Sequence, residues 1–236
     1  MSKRTKLIAA FDTNSRSQAE EWSVTLGKTV DAIKLGLEFT YACGLDAVRA
    51  VSTGHQLFLD LKLHDIPNTV ASGLSALAPL RPALTTIHAC GGAEMIARSR
   101  EALEKACPDE AHRPRLLAVT VLTSMDEAGL HETGVNATPQ EQVLRLGKLA
   151  ISAGADGLVC SAHEIALLRD ALGDKPVLVV PGIRPAGSAS NDQKRIMTPT
   201  QAAQAGADWI VVGRPITRAP DPALAAQGIM AELASA

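Results

Sequence analysis

Eight short apolar runs alternate with stretches of helical period along this 236-residue chain, and the alternation predicts an α/β fold built on a parallel sheet. Two further observations narrow this to a single-domain (β/α)8 barrel, the TIM-barrel architecture, covering residues 1–236. A phrase repeats: AGAD stands at 153–156 and again at 205–208, each time between a helix and an apolar strand, as an echo of a duplicated βα unit. No low-complexity linker divides the chain, and no G-x-G-x-x-G stands in a βα turn, where a dinucleotide-binding sheet needs one. A doubly wound open sheet is the alternative.

The first strand, KLIAAFD (6–12), ends in Asp12, with Ala10 and Ile8 two and four positions back. The second, AIKLGLE (32–38), carries Lys34. The third, QLFLDLKL (56–63), separates by period two: Leu57, Leu59, Leu61 and Leu63 face the helices, while Phe58, Asp60 and Lys62 face the barrel axis. ALTTIHA (83–89) closes on His88, RLLAVTVLT (115–123) reaches Thr123-Ser124, and GLVCSA (157–162) follows the first AGAD. PVLVVPGI (176–183) runs into PGIR at 181–184, and DWIVVGRP (208–215) ends in GRP at 213–215. Helical period covers 15–30, 68–79, 92–106 and 139–153. Thr138-Pro139 with Glu141, and Thr198-Pro199 with Gln201, each supply an N-cap, a proline at the first helical position and a capping-box partner.

A chain that is 46% hydrophobic and 20% charged has enough apolar surface for a substantial core. Its net charge of -2 and 3% aromatic content give neither a polyanion-binding surplus nor base-stacking platforms, so no nucleic-acid partner is expected. No apolar run is long enough to span a bilayer, and MSKRTKLIAAFD does not read as a signal peptide, so a cytoplasmic protein without a membrane partner is expected. Cys43, Cys90, Cys107 and Cys160 lie far apart and form no CxxC, which reads as buried free thiols. His55, His112, His131 and His163 have no metal-ligand spacing, and no metal site is expected. Trp22 and Trp209 read as core or interface residues rather than ligand platforms.

Barrel active sites lie at the C-terminal ends of the strands, and five strand ends here carry polar groups in register. The third strand's end, DLKLHDIPNTV (60–70), resembles the D-x-K-x-x-D-I-P-N-T signature of the orotidine 5'-monophosphate decarboxylase family. The resemblance extends through FD (11–12), IKLGLE (33–38), HACGG (88–92), VTVLTS (119–124), PGIR (181–184) and VVGRPI (211–216), in the order of the bacterial form. Cys90 stands where the family's HASGG has serine.

The resemblance implies conversion of orotidine 5'-phosphate to uridine 5'-phosphate and carbon dioxide, the last step of de novo pyrimidine synthesis, with no metal and no organic cofactor. Loss of carbon dioxide leaves an electron pair at C6 in an in-plane orbital that the ring cannot delocalise, so preorganised charge must do the work. On this resemblance Lys62 stabilises and then protonates the C6 carbanion, and Asp60 orients Lys62 and faces the substrate carboxylate. Lys34 offsets Asp60, and Asp65 ends an alternating Lys34–Asp60–Lys62–Asp65 array. Asp12 and Lys34 take the ribose hydroxyls, Asp65 and Thr69 add contacts, and Thr123 meets the pyrimidine edge. The phosphate sits on the N–H groups of Gly213 and Arg214, with charge from Arg184 and Arg214. Segment 182–197 closes as a lid, with Gln193 bridging phosphate and base. His64 and His88 are read as supports rather than general bases.

The family further implies a homodimer with shared active sites, Asp65 serving the neighbouring subunit. Two other readings stand beside this one. Magnesium-dependent sugar-phosphate decarboxylases and synthases of the same superfamily share D-x-K-x-x-D but carry glutamate where Lys34 stands, and a cation there would repel the metal. A non-catalytic phosphate-binding barrel is the second.

Overall fold

The computed structural model describes residues 4–185 and 197–236. The eight apolar runs form β1 (Lys6–Ala10), β2 (Ala32–Gly36), β3 (Leu57–Leu63), β4 (Leu84–His88), β5 (Arg115–Val119), β6 (Gly157–Val159), β7 (Val177–Val180) and β8 (Trp209–Val212). All pair in parallel and in sequence order, and β8 returns to β1 with Trp209 opposite Lys6, so the sheet closes. Closure leaves no strand edge and excludes the doubly wound alternative.

Between the strands run α1 (Arg16–Leu26), α2 (Leu37–Ser52), α3 (Pro67–Leu77), α4 (Gly92–Ala106) and α5 (Glu127–Glu132). They are followed by α6 (Pro139–Ser152), α7 (Ile165–Leu172), α8 (Pro199–Gln204), α9 (Arg214–Thr217) and α10 (Pro222–Ala234). Both expected capping boxes form, at Thr138 with Glu141 and at Thr198 with Gln201. No helix among the described residues is long and apolar enough to cross a membrane.

The strands are shorter than the apolar runs at their C-terminal ends. The fifth run reaches residue 123, but β5 stops at Val119. Hydrophobicity reports burial, and Val121 is buried beyond the last rung of the ladder. The four cysteines are free, yet only Cys160 is buried; Cys43 and Cys107 are half-buried and Cys90 is exposed. Apolar patterning places strands and helices, whereas these three thiols sit on helix ends and connections that the barrel does not cover.

The core has two layers, as period two requires. Leu57 and Leu59 join the cluster between strands and helices, with Leu61 and Leu63 packed against it. Phe58 joins Ile8, Leu84, Leu117, Val179 and Trp209 inside the barrel.

The N-terminal rim explains the repeated AGAD. The Asp156 N–H donates to the Leu116 carbonyl at 2.8 Å, and its carboxylate accepts the Leu116 N–H at 2.8 Å. Asp208 does the same for Leu178, at 3.1 and 2.8 Å, and Asp31, outside any AGAD, does so for Leu7, at 3.0 and 2.8 Å. Each carboxylate also takes a guanidinium: Arg100 on Asp156 and Arg169 on Asp208, both at 2.7 Å, and Arg4 on Asp31. Each clamp thus pins the start of an odd-numbered strand to its even-numbered neighbour.

Candidate active site

At the opposite rim a cavity of about 670 Å³ opens over the barrel. Its floor is the apolar inner layer, including Ala10, Phe58, Val159 and Val211, and its walls carry the charge. Lys34, in the middle of β2, reaches up to Asp12 just past β1, with Nζ 2.9 Å from Oδ1. The same ammonium lies 3.8 Å from Asp60 Oδ2, while Lys62 Nζ meets that oxygen at 2.6 Å. A Cβ on Gly36, at the end of β2, would stand 3.0 Å from Lys34 Nζ, so glycine there leaves the ammonium its place.

Asp60 is nine-tenths buried, which an ionised carboxylate tolerates only when paired and hydrogen-bonded. Burial pushes its pKa up. The charges of Lys34 and Lys62, with hydrogen bonds from Lys62 and Thr86, outweigh that and hold the carboxyl below its ordinary value. Asp60 is therefore an anion at neutral pH, between two cations.

Lys62 is not in ordinary strand conformation. Its φ is 49°, in the left-handed region that costs a non-glycine residue about 1–2 kcal/mol. The β3–β4 register shifts between Leu59 and Leu63 around it. Thr86, wholly buried in β4, holds this bend: its hydroxyl accepts the Lys62 N–H at 2.9 Å and donates to Asp60 Oδ1 at 2.9 Å. One hydroxyl thus fixes both the backbone of the lysine and the carboxylate of its partner. Strain held by surrounding structure is a mark of functional sites.

Thr123, Arg184, Gly213 and Arg214 line the same cavity as the Lys34–Asp60–Lys62 triplet. Gly213 is the N-cap residue of α9, so its neighbouring N–H groups head a helical turn. Arg184 is buried, and its N–H donates to the Met197 carbonyl at 3.0 Å beside an Ile183–Met197 bridge. Gln193 and most of the expected lid lie outside the described residues.

Two expected residues are not in this cavity. Asp65 and Thr69 are exposed, and the Asp65 carboxylate accepts from the Ile66 N–H at 2.7 Å. The alternating array therefore ends at Lys62, because the chain turns outward after Leu63 and enters α3 at Pro67. Trp22 packs against the core as expected, its ring centroid 5.6 Å from that of Phe11, and it also lines the cavity. Gln18 and Arg218 line it as well, without a motif to announce them, and so does Glu38, the last residue of the IKLGLE phrase. Thr86 was legible in principle, since period two from the inward Leu84 selects it.

His88 is half-buried, and its ring packs 5.6 Å from that of His64. Burial first, then the charges of His64 and Lys62, lower its pKa below the usual imidazole value. A neutral, packed ring suits a support.

The family model described as "Orotidine 5'-phosphate decarboxylase / HUMPS family" matches residues 5–229. The chain belongs to this family. Within the orotidine 5'-phosphate decarboxylase / HUMPS family it is 81% identical over 236 residues to the orotidine 5'-phosphate decarboxylase of Gluconobacter oxydans, covering all of both chains. It is 50% identical over 230 residues to that of Opitutus terrae, covering 97% of this chain and 98% of that one. The crystal structure of orotidine 5'-phosphate decarboxylase from Lactobacillus acidophilus matches with a TM-score of 0.85 at 40% identity, covering 98% of this chain and 99% of that one.

Proposed function

We propose that the chain decarboxylates orotidine 5'-phosphate to uridine 5'-phosphate and carbon dioxide, in the cytoplasm, as the closing step of de novo pyrimidine synthesis. The observation that carries this reading is the buried Asp60 anion held between Lys34 and Lys62 in a cavity that Arg184 and Arg214 also line. The cavity's volume of about 670 Å³ suits a mononucleotide.

The phosphate binds at Gly213, Arg214 and Arg184, which fixes the base over the triplet and directs remote binding energy to the reacting carbon. Segment 182–197, with Gln193, closes over the phosphate. Asp12 and Lys34 hold the ribose hydroxyls, and Thr123 meets the pyrimidine edge. The C6 carboxylate lies toward Asp60. The bond from C6 to that carboxylate breaks, carbon dioxide leaves, and the electron pair stays on C6 beside the Lys62 ammonium. Lys62 gives its proton to C6 and is reprotonated from solvent. The left-handed backbone at Lys62 and the hydroxyl of Thr86 keep the ammonium in place before reaction, so little reorganisation is needed as charge develops.

The second branch of the family name, magnesium-dependent chemistry on sugar phosphates, is disfavoured by one contact. The Lys34 ammonium stands 2.9 Å from Asp12 and 3.8 Å from Asp60, where it already neutralises the carboxylates that a divalent ion would need. The proposal also includes a homodimer. Asp65 and Thr69 are exposed and do not line their own cavity, which supports a role in a neighbouring subunit's site.

Purified protein mixed with orotidine 5'-phosphate should show the ultraviolet absorbance change of decarboxylation, undiminished by EDTA, and Lys62→Ala should lack it. No turnover by the wild type, or equal turnover by the variant, defeats the assignment, and loss in EDTA favours the metal-dependent branch. Mixing inactive Lys62→Ala and Asp65→Ala chains should recover part of the activity in hybrid dimers; confirmed hybrids without recovery would exclude sharing.

A further inference from the structure

The N-terminal rim holds a second cavity, of about 690 Å³, whose lining includes Gln56, Arg81, Ala83, Arg113, Arg115 and Asp156. It lies at the end of the barrel opposite Lys62, and it coincides with a break in the rim's own pattern. The odd-numbered strands β1, β5 and β7 each start against an aspartate clamp, at Asp31, Asp156 and Asp208. The strand β3 does not. Ala83 takes the same backbone position, its N–H donating to the Leu57 carbonyl at 2.8 Å, but it carries a methyl where the other three carry a carboxylate.

The cations of that quarter are present nonetheless. Arg49 stands in the helix before β3, as Arg100 and Arg169 stand in the helices before β5 and β7, and with no aspartate to meet it donates to the Pro79 carbonyl at 3.2 Å. Arg81, two residues before Ala83, is held in left-handed conformation with φ 51° and ψ 48°. Arg115 is tied to the same spot, its N–H donating to the Ala83 carbonyl at 3.0 Å. Neither the Arg81 nor the Arg115 guanidinium has a hydrogen bond or ion pair among the described residues. Arg113 is fixed by the carbonyls of Cys107 and Pro108 and reaches Glu104 only at 3.7 Å, an acid that Arg100 already holds at 2.7 Å. Of the two acids on the cavity wall, Asp156 is taken up by Arg100, which leaves Glu110 facing Arg81, Arg113 and Arg115.

We propose that this groove binds a small molecule bearing two or more negative charges on oxyanion groups, one of which takes the place of the missing aspartate carboxylate between Arg81 and Arg115. Phosphate esters, polyphosphates and polycarboxylates share that chemistry, and the planar guanidinium fork fits all of them. The volume lies in the range of small-molecule sites. Binding there completes the fourth clamp and stabilises the folded barrel by mass action.

Pyrophosphate and citrate, titrated calorimetrically into the full chain at constant ionic strength, test this. The titration uses Arg214→Gln, which removes one of the two arginines assigned to anion binding at the other end of the barrel. At least one of the two anions is expected to bind Arg214→Gln, and Arg81→Gln/Arg115→Gln added to it should weaken binding tenfold or more. Pyrophosphate alone would identify a phosphate ligand, citrate alone a polycarboxylate. Ala83→Asp supplies the carboxylate from the chain and should abolish binding while raising Tm. Decarboxylase turnover in Arg81→Gln/Arg115→Gln alone should equal that of the wild type, which keeps this test separate from the activity proposed above. Binding of neither anion to Arg214→Gln, binding that survives the arginine pair, or binding retained by folded Ala83→Asp overturns the proposal. If Ala83→Asp does not fold, the arginine pair decides.

Discussion

The two rims of this barrel use charge in opposite ways. At the N-terminal rim, Asp156 and Asp208 each accept a backbone N–H and a guanidinium, and each arginine is spread over further acceptors: Arg169 also reaches the Gly206 and Pro176 carbonyls. Each of these clamps has its partners, and nothing at Asp156 or Asp208 is left for a ligand to do; the quarter at Ala83 is the exception. At the C-terminal rim the cations around Asp60 are lysines, compact donors that can lose a proton, and the carboxylate is held between two of them on a backbone bent into the left-handed region. Satisfied arginine–aspartate pairs make a foundation, whereas lysines around one buried carboxylate make a site that is stable only as a set. The difference follows from the donor chemistry, since burial is similar: Asp60 and Asp208 side chains are 10% and 9% exposed.

The largest effect that would break this contrast is expected at Lys62. Lys62→Ala should lower kcat by about 10⁴-fold or more, since in the proposed mechanism one residue supplies both electrostatic stabilisation and the proton. Lys62→Arg should fare little better, keeping charge without a transferable proton. Steady-state turnover measures both, and a loss below tenfold would remove Lys62 from the chemistry. At the other rim, Asp208→Ala should cost about 3–5 kcal/mol in denaturant unfolding, because it strands the Arg169 guanidinium and the Leu178 N–H. Its kcat should be unchanged; a parallel fall in kcat would mean that the rims are not independent.

A smaller and more telling effect belongs to Thr86→Val. The shape is kept, but the Lys62 N–H and Asp60 Oδ1 lose their shared partner, for about 1–3 kcal/mol of stability. Because the hydroxyl positions groups that act on the substrate, kcat should fall with KM nearly unchanged, and a KM effect alone would place Thr86 in binding instead. Smallest of all is the pH response. Burial lowers the pKa of both His55 and His88 below 6.5 in the folded chain, so the unfolded chain binds more protons just under that pH. Their contribution is complete above 6.5 and fades as pH falls through the folded values, and Asp60 adds a second decline below 3.8. Tm should drift down between about pH 7.5 and pH 5.5; a rise over that interval would contradict the sign.

What was legible in the sequence is what local pattern can encode. Apolar runs reported burial, period two assigned Phe58 and Asp60 to the inside and Leu57 and Leu59 to the helices, and the capping boxes marked two helix starts. The ends of the strands were overdrawn because burial outlasts the ladder, as at Val121. Asp65 is near Lys62 in sequence but follows the end of β3, and its exposed carboxylate accepts the Ile66 N–H.

The sequence by itself determined the parallel α/β order, the rim that would carry polar groups, and the kinds of charge placed there. The side-by-side pairing of strands decided which of those charges meet. Thr86 bonds Asp60 across 26 positions and Lys34 bonds Asp12 across 22, contacts that no local period specifies. The same is true of the rim clamps: AGAD hinted at Asp156 and Asp208, but Asp31, with no such phrase, proved the third member, and Ala83 the exception. Side-chain parity is a property of one strand and can be read from it. Pairing depends on neighbouring strands brought side by side, β1 with β2 and β3 with β4, and that belongs to the tertiary structure.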